Sequence, residues 1–91
     1  MSETTKTKKE IVSEITKKYI GEMTMEAFGD SLGINASKQN VNQWLKGKYP
    51  PSLETLYAVL FSSHATGQAK AWAGECLAVL QNDAMERRGV N

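Results

Sequence analysis

The sequence predicts an all-α chain: a compact bundle of about five short helices around one core. Three observations carry this reading. Apolar residues recur at spacings of three and four in five separate stretches, the period of an amphipathic helix. Ser or Thr precedes several of these stretches and Gly follows them, as expected where helices start and stop. No segment alternates apolar and polar residues between turn signals, so no strand is expected.

Residues 1–8 (MSETTKTK) hold no apolar anchor and read as a flexible basic tail. The first helix is expected over about 9–20, with Ile11, Val12, Ile15, Tyr19 and Ile20 inward and Gly21 left-handed just past its end. Thr24 suits the N-cap of a second helix over about 25–32, with stripe Met25, Phe28 and Leu32, Glu26 in its first turn and Gly33 ending it. Ser37 is expected to cap a third helix over 38–46. Val41, Trp44 and Leu45 form its buried stripe, and Gly47 and Tyr49-Pro50-Pro51 end it. Ser52 caps a fourth helix over about 53–63, with stripe Leu53, Leu56, Tyr57, Leu60 and Phe61. A fifth helix follows over about 68–87, carrying Trp72, Cys76, Val79 and Leu80 on its apolar face, with Ala69, Ala73 and Ala84 nearby. Gly74 inside it costs up to about 1 kcal/mol against Ala and suits a place where another helix comes close. The last residues, 89–91, are expected to fray.

At 91 residues the chain makes one small domain, with 41% hydrophobic and 23% charged residues, ordinary for a folded soluble protein. Its single cysteine, Cys76, excludes an internal disulfide and gives secretion no support. No run approaches the ~18 apolar residues that span a bilayer, and the polar start lacks the apolar core of a signal peptide, so a cytoplasmic location is expected.

The net charge of +1 hides an uneven distribution. Residues 21–32 hold Glu22, Glu26 and Asp30 and no base. Residues 33–52 hold Lys38, Lys46 and Lys48 and no acid. The acid-free window is also rich in short polar side chains: Asn35, Ser37, Gln39, Asn40, Asn42, Gln43 and Ser52. Amides flanked by Lys are what base-edge and phosphate contacts require, although a solvated polar face has the same composition.

The order of elements over residues 24–52 is a short helix, a turn, a second short helix and a Gly-Pro exit, which describes a helix-turn-helix. On the stretch EAFGDSLGI…SKQNVNQWLKGKYPPSLETLYAVL the sequence resembles the lambda-repressor-like, Cro/C1-type helix-turn-helix family. The resemblance rests on Phe28, Leu32-Gly33, Val41, Trp44, Gly47-Lys48 and Pro51-Ser52 followed by Leu53, Leu56 and Leu60. It covers about residues 10–62 and is weakest in the first helix. One departure is the segment Gly33-Ile34-Asn35-Ala36 before Ser37, about two residues longer than the family pattern. Either the turn is longer and Ser37 remains the cap, which keeps the cap four residues before Val41, or Asn35 caps a helix that starts earlier.

The resemblance implies a sequence-specific regulator of transcription, of bacterial or phage type and most naturally a repressor, that places the 38–46 helix in the major groove of double-stranded DNA. It implies that Lys38, Gln39 and Gln43 read bases and that Asn40 and Asn42 flank them. Lys46 and Lys48 would meet phosphate beside Gly47, and Thr24 and Met25 at the start of the second helix would form another phosphate site. Ser37 is chiefly a cap, with a phosphate contact open to it. Such proteins pair on palindromic operators. Trp72, Cys76, Val79 and Leu80 therefore read either as a homodimer interface or as a helix folded back on its own core, with residues 9–63 as the DNA-binding unit and 64–91 as the addition.

The alternative is an antitoxin-like or adaptor protein whose fifth helix binds a protein partner. Nothing pairs a nucleophile with a base or cradles a nucleotide, so no enzyme and no cofactor is expected. His64 is the only histidine and lies far from the one cysteine, so no metal site is expected either. Tyr49 suits packing or a backbone contact. Lys6, Lys8 and Lys9 suit a solvated tail or an arm along a duplex, and Arg87-Arg88 a solvated helix end.

Overall fold

A computed structural model describes residues 7–90, with side chains described for residues 7–81. Residues 1–6, Ala84, the Arg87-Arg88 pair and the fraying expected at the C-terminus lie outside what is described at side-chain level. Five helices follow one another: α1 Lys8–Ile20, α2 Met25–Ser31, α3 Lys38–Lys46, α4 Leu53–Phe61 and α5 Gly67–Val90. No strand occurs among the described residues.

The helices start where side chains satisfy their free N–H groups. Thr24 accepts the Ala27 N–H at 3.0 Å, Ser37 the Asn40 N–H at 3.1 Å and Ser52 the Thr55 N–H at 3.1 Å. α1 starts one residue earlier than the apolar pattern suggests. Thr7 accepts the Glu10 N–H at 3.2 Å while Glu10 accepts the Thr7 N–H at 2.9 Å, a reciprocal capping box. Thr7 and Lys8 thus belong to α1 and not to the tail. Gly21 has positive φ (51°), but its ψ of −119° lies outside the left-handed helical region expected for it.

The core is one cluster drawn from all five helices. Val12 and Ile20 come from α1, Phe28 from α2 with Leu32 just after it, Val41 and Trp44 from α3, and Leu56 and Val59 from α4; Ala69, Trp72, Ala73, Cys76 and Leu77 come from α5. α5 packs along α1 and α4, and α3 packs on α1 and α2. Trp72 is at the centre. Its ring meets Phe28 edge-on at 5.3 Å and lies 5.5 Å from Trp44. Its indole N–H donates to Thr16 Oγ1 at 2.9 Å, and that hydroxyl donates to the Val12 carbonyl at 2.7 Å. Both polar groups are therefore satisfied inside the core.

Three expectations change. Trp72 and Cys76 are fully buried in their own chain, so they offer nothing to a second copy, and Val79 and Leu80 are half-buried against the same core. α5 folds back through these residues. Burial also pushes the Cys76 thiol up to about 12, so it stays protonated. On α4, Leu53, Tyr57 and Phe61 are exposed, and the buried side is made by Leu56 and Val59. Around Gly74 nothing lies within 4 Å of where a Cβ would stand, so no helix approaches it.

At the surface, Lys18 forms an ion pair with Glu75 at 3.1 Å and Tyr19 donates to the same carboxylate, tying α1 to α5. The Tyr19 and Lys18 hydrogen bonds hold the Glu75 carboxyl below its ordinary range.

Two substitutions test this packing. Thr16→Val keeps the volume but strands the Trp72 N–H, and should lower stability by about 1–3 kcal/mol in urea titrations. Gly74→Ala, at an exposed helical position with open space, should raise stability by roughly 0.5–1 kcal/mol, and an unchanged or lowered midpoint would contradict the open surroundings of Gly74.

Candidate nucleic-acid interface

The connection between α2 and α3 sets how α3 is presented. α2 closes at Leu32, and Gly33 turns the chain at φ +72°. A Cβ at Gly33 would meet Ala65 N at 2.4 Å and Ser62 Oγ at 2.5 Å, so glycine is required both by conformation and by space. Ser62 Oγ donates to the Gly33 carbonyl at 2.8 Å and pins the turn to the end of α4. Ile34 and Ala36 pack partly buried against the core, while Asn35 is exposed. The extra residues therefore fill space beneath the turn. Ser37, not Asn35, is the cap, and α3 begins at Lys38.

Val41 and Trp44 anchor the inner side of α3. At about 100° per residue, the opposite side is shared by Gln39, Asn42, Gln43 and Lys46. Gln39 and Lys46 are exposed, and Asn42 and Gln43 are half-exposed. None of these four positions is acidic. Gln43 has one constraint: its Oε1 has no solvent exposure and no hydrogen-bond partner. Lys38 and Asn40 flank the face, both exposed. Asn40 Oδ1 accepts from the Tyr49 hydroxyl at 3.4 Å, so Tyr49, itself exposed, stands beside the helix rather than in the core.

α3 ends at Gly47, whose left-handed backbone (φ 75°, ψ 21°) lets the Lys48 N–H return to the Gln43 carbonyl at 3.1 Å. Ser13 of α1 donates to the Leu45 carbonyl, locking this end of α3 to α1. Lys46 and Lys48 flank Gly47 in the chain and are both exposed.

The fold adds acids that the linear sequence keeps distant. Glu10 and Glu14 of α1 line one cleft with Lys17, Lys46 and Gly47. At the other end of α3, Lys38 and Asn42 share a cleft of about 520 Å³ with Thr24, Met25, Glu26, Met23, Ile20 and Leu45. Thr24 is exposed but its hydroxyl oxygen is already engaged in capping, and Met25 is partly buried against the core. A phosphate at the start of α2 would meet Glu26 in the same cleft. The i, i+4 spacing of Glu10 and Glu14 puts both on one face of α1, but only the packing of α1 on α3 brings them beside Lys46.

Among the described residues, no group of three or more His, Cys, Asp and Glu could hold a metal ion, and no helix is long and apolar enough to cross a membrane. A scan against protein-family models, a search of curated proteins and a search of solved structures each found no match to this chain.

Ser37 serves α3 as its N-cap whatever else it touches. Ser37→Ala should cost about 1 kcal/mol of stability, read by thermal or urea unfolding. A loss below a few tenths would mean that the cap does not hold the start of α3.

Proposed function

We propose that the chain is a DNA-binding regulator of the lambda-repressor-like helix-turn-helix kind, which lays the outer face of α3 in the major groove of a duplex. The observation that carries this reading is the acid-free, amide-rich face Gln39–Asn42–Gln43–Lys46, anchored from behind by Val41 and Trp44. Major-groove edges present mixed donors and acceptors, and carboxamides match them. Gln39 and Gln43 lie one turn apart and read successive positions. Lys38 and Asn42 meet bases or phosphates at the leading end, Asn40 lies at the flank, and Lys46, Lys48 and the backbone at Gly47 meet phosphates at the trailing end.

Gln43 reads differently from Gln39. In the free protein its Oε1 is buried without a partner. A bidentate pair with adenine N6 and N7 needs that oxygen turned outward. Leaving an acceptor buried and unpaired costs about 1–3 kcal/mol, which favours the turn once a base edge is offered. Carboxylates at both ends of α3 weaken the general attraction to phosphate. Affinity then rests more on base contacts, and on two copies reading a palindromic operator, the usual geometry of such modules. A location in the cytoplasm and a role as repressor belong to the same proposal.

Selection of bound duplexes from a random pool tests it. A defined and palindromic motif is expected. Gln39→Ala and Gln43→Ala should each lose roughly 1–3 kcal/mol of discrimination at particular base pairs. Lys48→Ala should weaken all duplexes alike and reduce the salt slope by about 1. Unchanged base preference in both glutamine variants would remove α3 as the reading helix. No binding to any duplex at low salt would leave the adaptor reading, in which a protein is the partner.

A further inference from the structure

We propose that Ser62 is a positioning residue for α3. Its hydroxyl, held on the Gly33 carbonyl, fixes the end from which α3 starts and so sets the angle at which the amide face is presented. Helix packing leaves that angle half determined. α3 packs chiefly on α1 and α2, and α2 chiefly on α3. The far end of α3 is fastened by the Ser13 hydroxyl, which donates to the Leu45 carbonyl, one of the last carbonyls of the helix. At the near end the capping bond of Ser37 is internal and ties α3 to no other element. That end is held through the turn that precedes it.

The loop between α4 and α5 does the holding. It supplies donors to carbonyls at the end of α2 and just past it. The Thr66 N–H donates to the Ser31 carbonyl at 3.0 Å, and the Ser62 hydroxyl to the Gly33 carbonyl at 2.8 Å. The Ser62 oxygen also accepts the His64 N–H at 3.1 Å, so the same side chain ties the loop to itself and to the turn. The fit is backbone against backbone: a Cβ on Gly33 would stand 2.7 Å from the His64 carbonyl carbon. The next residues pass the placement on. The Ala36 N–H donates to the Ile34 carbonyl at 2.8 Å. The Ala36 carbonyl lies against α2 so closely that a Cβ on Gly29 would stand 3.0 Å from it. A turn folded this tightly hands any shift at Gly33 to Ser37 and Lys38.

Ser62 is not among the residues assigned to bases or phosphates. Its loss leaves the charge and the amides of α3 as they are and alters only how they are aimed. Base discrimination is then sensitive to Ser62, and general attraction to a duplex is not. This consequence rests on the DNA reading above; the orientation of α3 does not.

Nuclear magnetic resonance of the full chain, with no DNA present, tests the orientation. In Ser62→Ala, the dipolar couplings of the 39–45 amides should depart from the parent orientation relative to α1 and α5, while those within α4 still fit it. The Gly33 and Thr66 amides should exchange about tenfold faster, the scale of one lost hydrogen bond. Ser62→Thr keeps the hydroxyl and should restore both, and Ser63→Ala, at the exposed neighbour, should change neither. A mere loss of stability would not turn α3 in the folded molecules. With duplexes from the random selection, Ser62→Ala should lower roughly tenfold the discrimination at the base pairs that Gln39→Ala affects, and leave affinity for random-sequence duplex unchanged. Parent couplings throughout α3 in Ser62→Ala, or a Ser62→Thr chain that behaves as Ser62→Ala does, overturns the proposal. A turned α3 with the parent's base preference overturns the step from orientation to reading. A parent chain that binds no duplex removes the DNA reading, and the couplings alone then decide whether Ser62 places α3.

Discussion

Trp72 holds the rest of the molecule in place. One side chain, from the last helix, touches Phe28 of α2 and Trp44 of α3 and hydrogen-bonds Thr16 of α1. Trp44 is also the residue that fixes the inner side of α3, so the direction of the amide face depends on α5 as well as on the α2–α3 turn. The family resemblance ends near residue 62, which treats α5 as an addition. In the folded chain α5 completes the core on which the helix-turn-helix rests. A boundary near residue 63 would cut through that single cluster and expose both tryptophans.

The ends of the helices were the most legible part of the sequence. Thr24, Ser37 and Ser52 each cap as their positions suggest, because capping is local and needs only a side chain three residues before a free N–H. Thr7 escaped for an equally local reason: its capping box precedes the first apolar residue, so a pattern search begins too late to see it. The faces of the helices were less legible. On α4, apolar residues cover most of the circumference, and periodicity alone cannot choose between the side of Leu56 and Val59 and the side of Tyr57 and Phe61. Packing on α5 makes the choice. On α5, Ala69 and Ala73 line the buried face together with Trp72 and Cys76, and Leu77, outside the expected stripe, joins them because a helix wedged between α1 and α4 is covered on two sides.

The candidate interface shows the same division. Which residues α3 presents could be read from spacing, since Val41 and Trp44 define its back and the remainder follows from 3.6 residues per turn. The turn before it was legible once Ser37 was recognised as the cap. What surrounds α3 was not. An acid-free stretch of sequence is not an acid-free region of space. α1 brings Glu10 and Glu14 to the Lys46 end, and α2 brings Glu26 to the Lys38 end.

These carboxylates change how the face can work. Lysines next to carboxylates neutralise phosphate less effectively, because the acid already satisfies part of their field. The uncompensated stretch in the middle of α3 is amide: Gln39, Asn42 and Gln43. Amides contribute little attraction at long range and much discrimination at contact, since they must match donor to acceptor. On the proposed reading as a DNA-binding face, a surface arranged this way would tolerate few wrong sequences and gain little from generic ones. On the proposed reading one such face offers a small number of contacts, so occupancy of an operator would depend on bringing two together.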